Sequence, residues 1–345
     1  MGAEDQHVTT HRATAAEAAT AEDTMRAVVR ERYGEADVVR VSRVARPEPA
    51  DGEVLVRVHA AGLDRGVWHV MTGLPYAGRL AFGLRRPRNP VLGSDVAGTV
   101  VAVGRAVTRF AAGDEVYGFG AGTFAEYAVA PEKSLARKPA SLTFEQAAVV
   151  PVSAATALKG LRDVGRVQAG QKVLITGASG GVGSYAVQLA KAFGAEVTGV
   201  ASTAKLDLVR SLGADHVVDY TAHDFADGSR RYDLILDIGG NPSLARLRRA
   251  LTPTGTAVIT GGEGGGKLTG MRRQLGALAL SPFVRQRLTM FVSVVRSAQL
   301  EELTELIEAG AVMPSLERSY PLEQAPEAIR RLVAGEVRGK VAVTV

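Results

Sequence analysis

The chain has 345 residues and a formal net charge of +5; 46% of its residues are hydrophobic and 22% are charged. This length exceeds the size at which one hydrophobic core usually stops growing, so we expect two domains with an ordinary globular composition. The chain contains no cysteine, which excludes disulfides, thiol nucleophiles and cysteine-based metal sites.

Two classes of partner find no support in the sequence. No apolar run approaches the roughly eighteen residues that a membrane-spanning helix needs. No segment interleaves basic and aromatic residues as a nucleic-acid-binding surface would. We therefore expect neither a membrane nor a nucleic acid as a partner.

Residues 1–24 are rich in Ala, Thr and Glu and contain no apolar stretch. They lack the continuous hydrophobic centre of a secretory signal, which favours a cytoplasmic location. We expect a disordered tail, because such a segment buries too little apolar surface to offset the entropy of ordering it. A start of translation at Met25, directly before the first strand-like run, is an alternative.

Residues 26–130 contain short β-branched runs separated by glycine and proline. Strands are predicted at residues 53–58, 96–103 and 124–129, with turn signals between them. Short strands with few helices indicate a partly closed β domain.

From residue 141 the pattern changes. A capped helix is predicted to begin at residues 141–145 and to continue to Leu161. Beyond it, strands are predicted at residues 173–176, 196–201, 216–220, 232–237, 256–260 and 288–294, and helices at residues 182–193, 205–212 and 244–251. This alternation predicts a parallel sheet with helices on both faces.

The last part of the chain has a different order of elements. Helices at residues 300–308 and 325–333 are predicted to precede a final strand at residues 341–345. We expect this tail to return to the first domain, which makes that domain discontinuous in sequence.

The most informative motif is the run KVLITGASGGVG at residues 172–183, a buried strand followed by a glycine-rich turn and a helix. Small residues let backbone amides approach a pyrophosphate, and the amino end of a helix supplies unpaired N–H donors with a favourable dipole. Gly183 permits close packing of the helix on the strand. The motif predicts a dinucleotide site; a turn that needs glycine for its geometry alone is the alternative.

The end of the second predicted strand of this sheet indicates which dinucleotide binds. An NAD enzyme places a carboxylate there to accept hydrogen bonds from the ribose 2′-hydroxyl. Here the strand ends at Ser202 and Thr203, and Lys205 follows two positions on. Two hydroxyls and an ammonium suit a 2′-phosphate, so NADPH is preferred to NADH. Taken alone, Lys205 is better explained as an exposed helix lysine.

Five motifs occur in a fixed order: AAGLD at residues 60–64, GSDVAG at 93–98, GDEV at 113–116, the glycine-rich turn, and LGAD at 212–215. Together they resemble the medium-chain dehydrogenase/reductase superfamily, most closely its quinone oxidoreductase branch. The resemblance covers residues 25–345. It implies a discontinuous, partly closed β (GroES-like) domain of residues 25–152 plus 296–345. A Rossmann domain with a doubly wound parallel sheet, residues 153–295, is inserted into it.

The resemblance also implies a reaction without a metal. In the zinc alcohol dehydrogenases of this family, a cysteine and a histidine that bind the metal stand where this chain has Asp64 and Ser94. Zinc-free members deliver hydride from NADPH to a quinone or an α,β-unsaturated carbonyl compound. We expect that activity here. The alternatives are a zinc-independent alcohol dehydrogenase or aldehyde reductase, and a non-catalytic NADPH-binding protein.

Asp64 departs from the pattern of the family. Close relatives usually carry Asn at this position, and often Asp where this chain has Val67. An amide donates a hydrogen bond, whereas a carboxylate does so only when it is protonated. A ribose acceptor, a proton relay and a changed activity all remain open for Asp64.

The resemblance places the substrate pocket in the stretch after Asp64 and in the loop before the sixth strand. Trp68, His69 and Tyr76 come from the first, and Phe283 comes from the second. His69 is a candidate proton source and Tyr76 a candidate lid residue. Plain packing of Trp68 and a structural hydrogen bond of His69 are the alternatives.

Cofactor contacts are implied by position, because ligands of this architecture bind at the carboxyl ends of the strands. The implied contacts are Thr156, Ser179, Gly180, Gly181, Val182, Ser202, Thr203, Lys205, Tyr220, Gly261, Phe291, Val292, Ser293 and Lys340. A homodimer through the last strand of the Rossmann sheet is also expected, because the apolar run at residues 288–295 would otherwise be an unprotected edge.

Overall fold

The computed structural model describes residues 23–261, 266 and 268–345. Most of the predicted tail, residues 1–22, lies outside this range. Thr24, which the prediction assigned to the tail, already pairs with Ala45 in the first strand. The ordered chain therefore begins slightly before the predicted boundary.

The described residues form fifteen strands and ten α-helices. The strands are β1 (Thr24–Val29), β2 (Arg40–Ala45), β3 (Glu53–Leu63), β4 (Asp95–Val103), β5 (Glu115–Phe119), β6 (Tyr127–Pro131), β7 (Leu135–Arg137), β8 (Lys172–Thr176), β9 (Glu196–Ala201), β10 (His216–Asp219), β11 (Tyr232–Asp237), β12 (Leu251–Ile259), β13 (Arg287–Met290), β14 (Leu316–Pro321) and β15 (Lys340–Thr344). The helices are α1 (Arg65–Thr72), α2 (Arg79–Phe82), α3 (Phe144–Ala148), α4 (Pro151–Leu158), α5 (Gly181–Ala192), α6 (Leu206–Ser211), α7 (Leu244–Ala250), α8 (Arg272–Leu280), α9 (Ser297–Glu308) and α10 (Ala325–Val333). Within this described part, no helix has the length and apolar character that crossing a membrane requires.

Six strands form a parallel sheet in the order β10-β9-β8-β11-β12-β13. Successive residues of a strand point to opposite faces. In β8, Val173 and Ile175 pack in one buried cluster with Tyr185 of α5, while Leu174 packs in another with Leu247 of α7. Helices therefore cover both faces, which explains why β8 is apolar throughout. This confirms the predicted doubly wound Rossmann sheet.

The other large sheet has the order β14-β15-β3-β4-β5-β7, and β6 pairs with β3. Strand β15, at the carboxyl end of the chain, pairs antiparallel with β3, so that Val341 lies opposite Leu63. The last part of the chain thus completes the sheet that the first part begins. The predicted boundary at residue 152 falls inside the first turn of α4, and the exact division into domains stays a prediction.

The two sheets are joined through apolar packing. Ala97 of β4 and Tyr117 of β5 lie in the sheet that β15 completes. They share a buried cluster with Leu158 of α4, Ile175 of β8 and Leu300 of α9. The Tyr117 hydroxyl also donates to the backbone oxygen of Leu300 at 2.6 Å. Helix α9 therefore packs between the two units and holds them together.

The predicted helix that continued to Leu161 is wrong in one respect. Helix α3 ends at Ala148 and α4 begins at Pro151. Proline has no N–H to continue the hydrogen bonds of a preceding helix but suits the first turn of a new one. The predicted cap is present, since Thr143 and Gln146 form a reciprocal capping box.

Several strands also differ from the prediction, including β3, which continues to Leu63, and β12, which begins already at Leu251. The prediction at residues 124–129 is shifted, because Phe124 and Glu126 bond to Val28 and Arg26 of β1 and β6 begins only at Tyr127. The sixth strand of the parallel sheet stops at Met290, since its partner residue Ile259 is the last of β12. Strand β14 was missed because Tyr320 is its single buried residue, so it lacks an alternating apolar pattern.

The junction between β5 and α9 provides a stability prediction. Tyr117→Phe removes one buried hydroxyl that bonds to Leu300 and Thr304, and we expect it to lower the free energy of unfolding by about 1 kcal/mol. Urea unfolding of the chain without ligands measures this change. Tyr220→Phe is the matched control, because Tyr220 is 60% exposed and should give no comparable loss. Equal effects of the two substitutions would contradict the assignment.

Candidate active site

The glycine-rich turn joins β8 to α5 as the sequence predicted. Gly180 precedes α5 with an extended backbone, and no side chain caps the helix. A Cβ atom on Gly183 would lie 2.1 Å from the backbone oxygen of Gly177, so no larger residue fits between the helix and the strand. The first amides of α5 are therefore free to bind an anion. Ser179, Gly181 and Val182 belong to the same turn and are buried or half-buried.

Strand β15 of the first sheet begins directly against this turn. The amide of Gly339 donates to the backbone oxygen of Ser179 at 2.8 Å. A Cβ atom on Gly181 would meet Lys340 Cδ at 2.9 Å and Ser153 Oγ at 3.2 Å. Lys340, an implied cofactor contact, thus lies between the first turns of α4 and α5.

Lys340 belongs to a buried group of charges. Its side chain is 1% exposed and lies 3.9 Å, Nζ to Oδ2, from the fully buried carboxyl of Asp95. Asp95 Oδ1 accepts a hydrogen bond from the amide of Val152 at 3.2 Å. Several atoms here are buried without a hydrogen-bond partner in the described part of the chain: Asp64 Oδ2, Asp95 Oδ2, Ser153 Oγ and Lys340 Nζ.

The environment of Asp95 raises the pKa of its carboxyl. Burial raises the pKa of the Asp95 carboxyl well above its ordinary value, and the negative charge of Asp64 raises it further. Lys340 and the Val152 amide oppose this increase in pKa. Asp64 and Asp95 therefore interact electrostatically, although the first precedes α1 and the second begins β4.

Asp64 has a structural role that the sequence analysis did not predict. It is the N-cap of α1, and its Oδ1 accepts hydrogen bonds from the amides of Gly66 at 2.7 Å and Val67 at 3.3 Å. Such a cap contributes about 1 kcal/mol to a helix. The second carboxylate oxygen stays unpaired and buried. It is this oxygen that the ribose-acceptor and proton-relay hypotheses require.

The other predicted pocket residues of α1 have structural partners. Trp68 packs against the core of the first domain, and its Nε1 donates to Glu35 at 3.3 Å. Nδ1 of His69 donates to the backbone oxygen of Leu74 at 2.8 Å. The packing alternative therefore describes Trp68, and His69 retains only Nε2 for a proton-donor role.

Tyr76 lies on the loop that precedes α2. The Arg79 guanidinium lies over the ring of Tyr76 at 4.8 Å and over that of Tyr33 at 4.3 Å, and the ring of Tyr76 remains partly exposed. The amide of Ala77 donates to the backbone oxygen of Leu268 at 3.0 Å. This loop thus contacts the nucleotide-binding unit, and the lid role of Tyr76 stays a prediction.

The loop before and after β13 is placed differently from the prediction. Phe283 is 85% exposed, which does not support its assignment to the pocket. Phe291 packs beneath the ammonium of Lys159, which also donates to the backbone oxygen of Val292 at 2.8 Å. This bond holds the backbone just after β13 against Lys159. Ser293 Oγ is buried and unpaired, so it is available to a ligand.

The adenosine end of the predicted cofactor site contains a residue that sequence reasoning missed. Thr203 Oγ1 donates to a carboxylate oxygen of Asp219, the last residue of β10. The sequence prediction was drawn from the end of β9 alone, whereas the neighbouring strand β10 supplies a carboxylate beside Thr203. Ser202 is half-buried and Tyr220 is largely exposed.

Lys205 has partners that no sequence motif indicated. Its Nζ donates to the backbone oxygens of Gly335 and Val337, each at 2.7 Å. Burial lowers the pKa of this ammonium. Lys205 therefore ties the nucleotide-binding unit to the turn before β15, and one of its three donors remains for a phosphate.

A second buried charge pair closes the carboxyl edge of the parallel sheet. Asp237, the last residue of β11, lies 2.6 Å from Nη1 of Arg273 in α8 and accepts a hydrogen bond from Thr176 at 2.8 Å. Arg273 also donates to the backbone oxygen of Gly261 at 2.7 Å. Burial raises the pKa of Asp237 to about 6. No sequence motif pairs Asp237 with Arg273, so this pair was not foreseen.

These residues fit a nicotinamide dinucleotide. The amino end of α5 is uncapped, and unpaired polar atoms of Ser153 and Lys340 lie near it. Ser293, which the sequence implies for the nicotinamide end, also has an unpaired hydroxyl. Thr156 of α4 is half-buried and available as well. In the described ranges, no three His, Asp or Glu side chains are grouped to hold a metal ion. The fold and this site together define a dinucleotide-binding protein.

Comparisons with known proteins identify the family. Residues 50–140 match the model of the alcohol dehydrogenase GroES-like domain, and residues 212–343 match that of the zinc-binding dehydrogenases. The mitochondrial NAD(P)H oxidoreductase RTN4IP1 of Mus musculus is 32% identical, over 93% of this chain and 89% of its own length. The 2-methylene-furan-3-one reductase of Solanum lycopersicum is 34% identical, over 90% and 76%.

The structural comparison agrees. The quinone oxidoreductase of Coxiella burnetii superimposes with a TM-score of 0.84 at 26% identity, over 93% of this chain and 99% of its own. The chain belongs to the medium-chain dehydrogenase/reductase superfamily, in its quinone oxidoreductase-like branch. Members of this branch are oxidoreductases that use a nicotinamide cofactor.

The Asp237–Arg273 pair predicts a pH-dependent stability. Because the folded-state pKa of Asp237 is raised to about 6, its contribution to stability is complete below about pH 4 and is lost as the pH rises through 6. The wild type should therefore lose roughly 3 kcal/mol of unfolding free energy relative to Asp237→Asn across this window. Urea unfolding at several pH values measures the difference.

The control for this prediction is Asp227→Asn. The hydroxyl and amide of Ser229 lower the pKa of Asp227, so its titration has the opposite sign. A constant stability difference between wild type and Asp237→Asn from pH 4 to 7 would contradict the assignment.

Proposed function

We propose that this protein is an NADPH-dependent, metal-free reductase that transfers hydride to a quinone or an α,β-unsaturated carbonyl compound. One observation carries the proposal: the uncapped turn of the nucleotide-binding unit meets the buried side chain of Lys340 from the other unit, whose Nζ has no partner in the described chain. The names of the mouse, tomato and Coxiella relatives support the same class of reaction.

The absence of metal ligands in the sequence supports a conjugated substrate. Asp64 and Ser94 occupy the positions that bind the catalytic zinc in other members of the family, and Asp64 Oδ1 is used in capping α1. In a quinone or an enone the carbonyl already activates the carbon that accepts hydride. The substrate therefore needs orientation and a hydrogen-bond donor more than it needs a Lewis acid.

NADPH supplies hydride from its nicotinamide C4 when it is bound. The chain must then stabilise the negative charge that develops on the substrate oxygen and deliver a proton. His69 is suited to this role, because the bond of its Nδ1 to Leu74 fixes the ring and leaves Nε2 to carry a proton. Asp64 is the second candidate for proton transfer, through its buried and unpaired Oδ2.

The preference for NADPH rests on the groups around the end of β9. Ser202 and Lys205 supply a hydroxyl and an ammonium, and Tyr220 presents an exposed ring beside them in the chain. Asp219 has the opposite sign, but both its oxygens accept hydrogen bonds from Thr203 and Thr221. These hydrogen bonds hold the Asp219 carboxylate on Thr203 and Thr221, and the preference for NADPH is proposed from Ser202 and Lys205.

Homodimer formation through β13 is part of the proposal. β13 is the last strand of the parallel sheet and pairs only with β12 in the described chain. Phe283, Val292 and Val294 near this edge are largely exposed. A second copy would cover these apolar side chains.

The direct test measures NADPH oxidation by absorbance against a panel of quinones, enones and aldehydes, with a chelator present. We expect turnover on quinones or enones that the chelator does not reduce. Turnover on aldehydes alone would favour an aldehyde reductase. Tight NADPH binding without any turnover would favour a non-catalytic protein, and activity abolished by the chelator would contradict a metal-free reaction.

Lys205→Ala tests the cofactor preference. We expect it to weaken NADPH binding about tenfold or more while NADH binding changes little, because a charge-assisted hydrogen bond to the 2′-phosphate is lost. Lys191→Ala is the matched control, since Lys191, which belongs to α5, pairs with Asp215. Fluorescence titration with both dinucleotides gives the two affinities. Equal losses for NADPH and NADH would remove Lys205 from the 2′-phosphate site.

A further inference from the structure

The ammonium of Lys340 lies in an unusual electrostatic position. The side chain is buried and lies between the first turns of α4 and α5, as its contacts with the Cβ position of Gly181 and with Ser153 show. The amino end of a helix carries a partial positive charge and disfavours a cation. Nζ also has no hydrogen-bond partner in the described chain. A buried cation in such a place needs a nearby negative charge.

Asp95 is the group that supplies this charge. Its Oδ2 lies 3.9 Å from Lys340 Nζ, which is too far for a hydrogen bond but close enough for a strong attraction in a buried site. Its Oδ1 is held by the amide of Val152, at the amino end of α4. A Cβ atom on Gly62 would lie 3.1 Å from Asp95 Oδ2, so β3 closes the other side. The carboxyl therefore has little room to move.

The other titratable groups that face this pair raise the pKa of Asp95 or are themselves neutral, whereas Lys340 opposes that increase. Asp64 at the start of α1 adds a negative charge. Tyr185 of α5 donates its hydroxyl to the backbone oxygen of Val149, and burial raises the pKa of this phenol well above its ordinary value. Lys340 of β15 is the one group whose charge favours ionised Asp95.

The protonation of Asp95 therefore depends on the direction in which Lys340 Nζ points. An anion bound at the amino end of α5 attracts Lys340 Nζ and also repels the charge on Asp95. Both effects favour protonation of the carboxyl. The observed contacts place the side chain of Lys340 against Gly181, so this redirection requires no movement of the backbone.

We propose that Asp95 and Lys340 couple dinucleotide binding to proton uptake, with Asp95 acting as a positioning residue that holds the Lys340 ammonium beside the glycine-rich turn. When the anionic dinucleotide binds, a proton from solvent forms an O–H bond at Asp95 Oδ2, and no bond of the dinucleotide is changed. This inference rests on the proposed function, because it requires that NADPH binds at this turn.

The consequence is a dependence of affinity on pH. Where one proton is fully taken up, the dissociation constant of NADPH rises about tenfold for each unit of increasing pH. The 2′-phosphate, with a second pKa near 6, is fully ionised above about pH 8 and contributes no proton there. The effect of the protein is therefore measured most cleanly in mildly alkaline solution.

The test is isothermal titration calorimetry of the full chain with NADPH at about pH 8, in buffers that differ in ionisation enthalpy. The slope of the observed enthalpy against the buffer enthalpy gives the number of protons taken up. Adenosine 2′,5′-bisphosphate serves as the control ligand, since it lacks the pyrophosphate and the nicotinamide half. We expect proton uptake with NADPH and none with the bisphosphate.

Two variants locate the uptake. Asp95→Asn removes the acceptor, and Lys340→Met removes the cation that keeps Asp95 ionised, so both should abolish proton uptake while NADPH binding persists more weakly. Asp227→Asn is the control, because it removes a carboxyl that bonds Ser229 outside the candidate site and should leave the uptake unchanged.

The outcomes separate this inference from the proposed function. Failure of the wild type to bind NADPH would overturn the proposed function and this inference with it. Binding by the wild type without proton uptake overturns the inference alone, whether or not the variants fold. Uptake that persists in Lys340→Met or Asp95→Asn, or that disappears in Asp227→Asn, also overturns it.

Discussion

The structure depends on the antiparallel pairing of β15 with β3, which brings the end of the chain back to the middle of the first sheet. This pairing fixes Gly339 and Lys340 against the glycine-rich turn of the other unit. The first domain is discontinuous in sequence, and its last strand lies where the two units meet. Buried charged groups lie at this junction. The fold and the chemistry are therefore linked through one strand.

Burying Lys340 and Asp95 without a direct hydrogen bond between them costs stability that a pair of apolar side chains would not cost. The cost is explained if these groups are used when a ligand is bound. Charged side chains make direct contacts at other points around the site: Asp237 pairs with Arg273, and Lys205 donates to the turn at residues 335–337. Each of these contacts joins an element of the parallel sheet to a segment that follows it much later in the chain.

The sequence predicted the larger elements well, because their signals are local. The turn at residues 172–183 combines a buried strand, glycines and a helix start in one stretch, and the structure has that arrangement. Strand β9 and helix α10 begin and end at the predicted residues. The end of the sixth strand was predicted too late because it is determined by the length of its neighbour β12, which is not a local property.

The site was predicted less completely for the same reason. Positions of Asp64, Lys205 and Lys340 followed from the motifs, but their partners did not: the capped amides of α1, the carbonyls of Gly335 and Val337, and the carboxyl of Asp95. Asp219 lies near Thr203 only because β9 and β10 are adjacent in the sheet. These contacts depend on tertiary structure, and no spacing in the sequence encodes them.

The central claim, reduction of a conjugated carbonyl compound by hydride from NADPH, is tested most directly by following the label from NADPH deuterated at nicotinamide C4. The product formed from an enone substrate is analysed for the position of deuterium. Conjugate hydride transfer places deuterium on the carbon β to the carbonyl, and the carbonyl is retained. Deuterium on the carbonyl carbon of an alcohol product would show direct carbonyl reduction and would contradict the account.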